Sequence, residues 1–192
     1  MIPAEALAVL QAWLPANDDP GRPLISLATV SAAGIPDSRG VLLTDYDERG
    51  FTFYTDVGSR KARDLAANPA AAFSIAWPER FLQLSVQGIA GRVSLVDANA
   101  AYAARSRYLQ LLAWLNTADF TALPLAERQS RWAAFDAANP EGTLTAPDGW
   151  VGYRLRPHRL TFWRGMPLTA SQRTEYTLDA GSATWARGIL PG

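Results

Sequence analysis

The sequence has no cysteine, a single histidine and a single lysine in 192 residues. The missing cysteine excludes disulfides, thiolate nucleophiles and cysteine-ligated metals together. His158 alone cannot build a histidine-rich metal site, and it argues against a serine–histidine triad. Long apolar runs are absent too, and no basic-then-apolar start marks a signal peptide. The chain is therefore expected in the cytoplasm, away from membranes. Excess charge is also lacking: 18 basic and 18 acidic residues cancel, so no concentrated positive field is available to hold nucleic acid. Chemistry in such a chain has to be borrowed, which favours a bound organic cofactor.

At this length one domain is expected, covering residues 1–192. Leu7, Leu10 and Leu14 lie on one helical face between Pro3 and Leu14. Three short strands are then read at Leu24–Val30, Gly40–Thr44 and Phe51–Thr55, the last two joined by the polar loop 45–50. A short helix follows over Arg60–Ala67, stopped by Asn68-Pro69. Strands resume at Ala72–Trp77 and Leu82–Val93, the latter with Gly88 and Gly91 marking a bend or bulge. Ser94 to Asp97 resembles a capping box opening a helix to about Tyr108, and a second helix is read from Pro124 to Ala138. Strands at Trp150–Arg156, Leu160–Arg164, Glu175–Leu178 and Ala183–Arg187 complete the reading. Strands in runs exclude a doubly wound parallel sheet and point to an antiparallel barrel decorated by helices.

The only lysine sits in Gly58-Ser59-Arg60-Lys61-Ala62-Arg63, where the short helix begins. Unpaired N–H groups already make a helix start positive, and acidic residues normally gather there. Three cations in that turn fit if an anion such as phosphate is to be held by N–H groups, the Ser59 hydroxyl and arginine donors, with Gly58 allowing close approach. Spacing alone leaves a second reading open, a solvated basic face partly offset by Asp64.

In order and spacing, Arg39-Gly40-Val41-Leu42-Leu43, Tyr46 to Phe51, Phe53-Tyr54-Thr55 and Gly58 to Ala62 closely resemble the pyridoxamine 5′-phosphate oxidase family. The similarity continues through Asn68-Pro69, Trp77, Gln83 and Gly91 to Ser94, fades, and returns at Trp150 to Arg154 and Phe162 to Gly165. The resemblance implies a mainly β fold with helices, a split β-barrel, with residues of about 22–95 as its FMN-binding core and about 150–192 completing the site and a homodimer. It implies FMN at the subunit interface and hydride transfer from a small-molecule substrate to flavin N5. On matching positions, Arg39, Val41, Leu42 and Leu43 would line the flavin-binding strand. Tyr54, Thr55, Ser59, Arg60 and Lys61 would contact ribityl and phosphate groups. Gln83 would address the cofactor from the next sheet segment, and Trp163 and Arg173 would complete the site from the partner subunit. Taken singly, Tyr54 and Trp163 also suit a barrel core, and Gln83 an exposed strand; Leu42 and Leu43 read as core in either case.

The substrate side departs from the family. Oxidases of the vitamin B6 phosphates carry a lysine where this chain has Thr44, and an arginine-leucine-histidine triplet where it has Thr169-Ala170-Ser171. Arg105 matches a substrate-phosphate arginine, but the expected tyrosine and serine fall on Ala101 and Leu109, and two flavin contacts fall on Ala118 and Asp119. The substrate candidates are thus Thr44, Arg105, Thr169 and Ser171, and no catalytic residue is assigned. The departures leave open a genuine pyridoxamine or pyridoxine 5′-phosphate oxidase with altered contacts, a phenazine-type oxidase, use of a deazaflavin, or a flavin-binding module without turnover.

Overall fold

The computed structural model describes residues 1–192, which group into two compact units. The first comprises Met1–Phe53, Arg60–Arg92 and Tyr153–Gly192; the second comprises Tyr54–Ser59 and Val93–Gly152.

Period-2 burial builds the first unit. Strands β1 (Leu24–Val30), β2 (Pro36–Leu42), β3 (Asp45–Asp47), β4 (Gly50–Asp56), β5 (Ala70–Trp77), β6 (Leu82–Arg92), β7 (Trp150–Arg164), β8 (Gln172–Leu178) and β9 (Trp185–Pro191) join in one sheet. Its order is β2-β1-β5-β6-β7-β4-β3, with β8 on β7 and β9 on β8. Leu27, Phe73, Val86, Leu160 and Tyr176 stand opposite one another across five strands, and all are buried. One face of the sheet is therefore the core. Helix α1 (Ala4–Trp13) buries Ala6, Leu10 and Trp13, and the Trp13 indole meets Phe162 edge-on. Helix α2 (Arg60–Ala67) occupies the span read from sequence and buries Ala62, Asp64 and Leu65.

The strand readings differ from the structure in several places: the span read as the loop 45–50 holds β3, β8 starts at Gln172 and not Glu175, and the last strand, read at Ala183–Arg187, is Trp185–Pro191. Pro157 does not divide the C-terminal strand. Gln87 pairs with Arg159 and Gly88 with Pro157, so exposed His158 is the extra residue of a bulge. A proline is tolerated in a bulge because no ladder N–H is needed there. Gly88 is required opposite: a Cβ on it would stand 2.2 Å from the Arg156 carbonyl oxygen. Strand β2 also starts earlier than read, at Pro36, and gives up Leu43 and Thr44, where the chain turns toward β3.

Gly50 opens β4 at φ 141°, and a Cβ there would lie 2.2 Å from the Leu155 carbonyl oxygen. Gly50→Ala combines backbone strain with a clash against a strand that cannot move alone. The expected cost is about 2–4 kcal/mol, read from urea unfolding; a loss below ~1 kcal/mol would contradict this close approach.

The second unit is helical: α3 (Leu95–Ala103), α4 (Arg107–Leu115), α5 (Ala118–Thr121) and α6 (Leu125–Ala138). Ser94 caps α3, accepting from the Asp97 N–H at 3.1 Å and donating to the Asp97 carboxylate at 2.8 Å. The helix does not run on to Tyr108. It ends at Ala103 because the chain folds back, with the Tyr102 hydroxyl donating to the Gln110 carbonyl and the Gln110 amide donating to the Ala103 carbonyl. The small core of this unit is Ala98, Tyr102 and Trp150, with Tyr54, Val93 and Leu144 against it. No helix is long and apolar enough to cross a membrane.

Candidate functional site

Arg39, on β2, shares the core-side face of the sheet with Leu27 and Thr29 of β1. Its guanidinium donates to the Thr29 hydroxyl at 2.7 Å and to Asp37 at 2.8 Å, and lies 3.6 Å from the Asp64 carboxylate. The Thr29 hydroxyl donates in turn to Asp64 at 2.7 Å. Asp37 also accepts from Arg60 at 3.3 Å. The Asp37 carboxyl is held below the ordinary carboxylate range, chiefly by the Arg39 hydrogen bond and further by Arg60. Asp64 is only 6% exposed; it faces inward to the strands instead of offsetting the solvent side of α2. Arg60 is exposed and Lys61 half-buried at the start of that helix.

Val41 and Leu43 are core residues, so only their backbone is available to a ligand. Leu42 reads as core from sequence, but by strand alternation it points to the other face and is half-buried. That other face carries a second group. Gln83, Trp163 and Arg173 stand side by side across β6, β7 and β8. With Ser85, Gln87, Arg159, Thr161 and Glu175 they line an open groove of about 470 Å³. The groove is polar: Gln83 donates to Ser85 at 3.3 Å, and Thr161 donates to Glu175 at 3.1 Å. Gln83 therefore belongs with Trp163 and Arg173, while Arg39 leaves the sheet on the opposite side. One copy of the chain does not bring the two groups together.

In the second unit, Tyr54 lies parallel to Trp150, with ring centres 5.4 Å apart. Gly152 makes room, since a Cβ there would be 2.5 Å from the Tyr54 ring. The Thr55 and Ser59 hydroxyls are within 3.2 Å of each other. The Arg105 guanidinium sits 4.6 Å from the centre of the Trp150 ring. Burial pulls the Arg105 guanidinium below its usual value, and the Tyr54 and Tyr102 phenols partly counter that. Its Nε is buried without a hydrogen-bond partner.

Tyr102 does not stand in for the tyrosine missing at Ala101. It is 1% exposed, and its hydroxyl is engaged by the Gln110 carbonyl and the Trp114 N–H. Leu109 is half-buried on α4, and Ala118 and Asp119 are exposed at the start of α5. Thr44 is half-buried, with its N–H on the Thr52 carbonyl at 2.9 Å. Thr169 and Ala170 are exposed, and Ser171 half-buried, in the connection from β7 to β8. None of these supplies a cation. Sequence reasoning missed Asp37, Thr29 and Trp150. The signal for Asp37 was its place two residues before Arg39, on the same face of one strand.

Family models match both ends of the chain. The one described as pyridoxamine 5′-phosphate oxidase matches residues 11–140, and that of the pyridoxine 5′-phosphate oxidase C-terminal dimerisation region matches residues 150–190. The chain belongs to the pyridoxamine 5′-phosphate oxidase family. It is 35% identical over 192 residues to a pyridoxine/pyridoxamine 5′-phosphate oxidase of Rhodopseudomonas palustris strain BisB18, covering 97% of this chain and 89% of that one. It is 41% identical over 153 residues to the protein of that name in Rubrobacter xylanophilus, covering 80% and 70%. Among solved structures, PhzG from Burkholderia lata in complex with tetrahydrophenazine-1-carboxylic acid superposes with a TM-score of 0.82 at 24% identity, over 99% of this chain and 94% of that one. An FMN-binding protein from Nostoc punctiforme, related to pyridoxamine 5′-phosphate oxidase, gives 0.73 at 19%, over 99% and 97%. The mainly β split barrel with helices read from the sequence is the fold of this oxidase-family chain.

Proposed function

We propose that this chain is an FMN-dependent oxidoreductase that oxidises a small substrate, and that it works as a homodimer. The observation that carries the reading is the division of the candidate cofactor residues between the two sides of the sheet. Arg39 and Arg60 hold one side through Asp37; Gln83, Trp163 and Arg173 line the groove on the other. A cofactor that needs both groups needs two copies, and the match of residues 150–190 to a dimerisation region supports that.

The residues fit FMN chemically. Arg60, Lys61 and the Thr55 and Ser59 hydroxyls supply cations and donors of the kind a phosphate monoester requires. Gln83 and Arg173 offer hydrogen bonds to a flavin edge, and Trp163 an aromatic face. Bound FMN supplies a two-electron hydride acceptor, which explains how a chain without cysteine could be an enzyme. The protein's own part is to hold and orient the cofactor and its substrate and to exclude water. Purified protein should be yellow, or should take up added FMN with quenching of flavin fluorescence at one FMN per chain. A colourless protein that ignores added FMN sinks the reading.

On the substrate side, Arg105 favours a single negative group over a phosphate dianion. It is the one substrate-side cation kept, while Thr44 and Thr169-Ala170-Ser171 carry no charge. Losing charge-assisted hydrogen bonds costs on the order of 1.5–3 kcal/mol each, so two or three losses weaken dianion binding by powers of ten. A carboxylate substrate fits this reading better than a vitamin B6 phosphate. Reduction of the bound flavin by an aromatic carboxylate, against pyridoxamine 5′-phosphate, separates the two. Reduction by neither class of substrate would favour a flavin-binding module without turnover.

A further inference from the structure

The polar contacts around Arg39 close into a ring. Arg60 of α2 donates to Asp37 of β2; Asp37 holds Arg39; Arg39 donates to Thr29 of β1; Thr29 donates to Asp64, which returns to α2 one turn after Arg60. The two halves of the ring differ. On the inner half, Thr29 is fully buried and Asp64 nearly so, and both hydrogen bonds are 2.7 Å. On the outer half, the Arg60 side chain is 73% exposed and its bond to Asp37 is longer, at 3.3 Å. The inner half is fixed. The outer half is longer and open to solvent.

A carboxylate buried on the inward face of a short helix takes a desolvation cost that an apolar residue would avoid. Here that carboxylate fixes two things at once. It ties the helix carrying Arg60 and Lys61 to β1, and through Thr29 it sets the direction of Arg39 on β2. A threonine hydroxyl that accepts from an arginine and donates to a carboxylate has its proton direction determined by both charges, so the link is directional.

We propose that Asp64, acting through Thr29, is a positioning residue that presets Arg60 and Lys61 for the phosphoryl group of the cofactor, with Asp37 as the exchangeable counter-ion. This rests on the FMN reading above. The residue touches no ligand; it acts through the helix and through Arg39.

The test compares FMN with riboflavin, which lacks the phosphate, by fluorescence titration of full-length protein. Asp64→Asn keeps an oxygen acceptor for Thr29 but removes the charge. Thr29→Val keeps the shape and removes the hydroxyl, while Thr29→Ser restores it. Asp64→Asn and Thr29→Val should weaken FMN binding about tenfold or more, leave riboflavin within about threefold, and Thr29→Ser should bind FMN like the parent. A merely structural contact would lower the melting temperature and weaken both flavins alike, and that result overturns the proposal, as does unchanged FMN affinity in either folded variant. Should Asp64→Asn fail to fold, the Thr29 pair decides the matter. Parent protein that binds no FMN overturns the cofactor reading itself; parent that binds FMN with no phosphate-selective loss in the variants overturns only this inference.

Discussion

Replacing Arg60 and Lys61 together with glutamine should weaken FMN binding by roughly 10²–10⁴-fold, at about 1.5–3 kcal/mol for each charge-assisted hydrogen bond removed. Arg60→Gln alone should leave the free protein as stable as its parent, or slightly more so. Glutamine is a good helix former, and removing cations from a helix start relieves an unfavourable interaction with the helix dipole. The Arg60–Asp37 pair that disappears is mostly exposed, and such pairs contribute little. Loss of affinity without loss of stability is the signature of residues retained for a ligand. Fluorescence titration of the double variant and calorimetry of Arg60→Gln check it; an FMN dissociation constant within about threefold of the parent would remove these two residues from the site.

That experiment probes the feature most legible in the sequence, for a physical reason. Three cations in one helical turn conflict with the local field, and α2 has the limits that the Asn68-Pro69 stop implies. Strands β1 and β6 were legible because one sheet face is buried, so alternation is imposed on their residues, and β4 as a short, aromatic-rich run that is buried on both faces. What stayed hidden depends on partners distant in sequence. Pro157 looks like a strand end until Gly88 is known to lie opposite it. The break after Ala103 carries no glycine or proline; it is set by hydrogen bonds between Tyr102 and Gln110.

In the sequence the candidate site is one group of residues, and the sheet separates that group. Whether Arg39 and Gln83 face the same way is a matter of parity counted through β1 and β5, and the strand order supplies that count. Asp64 shows the same limit. From sequence it is an acidic residue among bases; in the fold it reaches inward to Thr29. Each of these readings fails where a side chain has two possible directions and only the tertiary partner chooses.

Trp150 is the residue on which the second unit most depends, and Trp150→Ala should cost that unit about 3–5 kcal/mol. The indole is 8% exposed, stacks on Tyr54, meets Tyr102 edge-on at 5.7 Å, and donates from Nε1 to the Ala98 carbonyl at 2.9 Å. Alanine leaves a cavity among these rings and removes the indole's hydrogen bond to the carbonyl of Ala98, a residue only 2% exposed. Phenylalanine fills most of the space and loses the N–H, so Trp150→Phe should cost nearer 1–2 kcal/mol, for one buried hydrogen bond and the remaining ring volume. Hydrogen exchange should show the alanine loss concentrated in residues 93–152. The Arg105 guanidinium rests on the same ring, so the alanine variant also frees that arginine to move. If Arg105 receives the substrate's negative group, Trp150→Ala raises KM for an anionic substrate more than it lowers kcat, since binding is lost in ground and transition states alike. Equal stability of the alanine and phenylalanine variants would show that ring volume does not hold this unit together. A KM unchanged in the folded alanine variant would separate Arg105 from substrate binding.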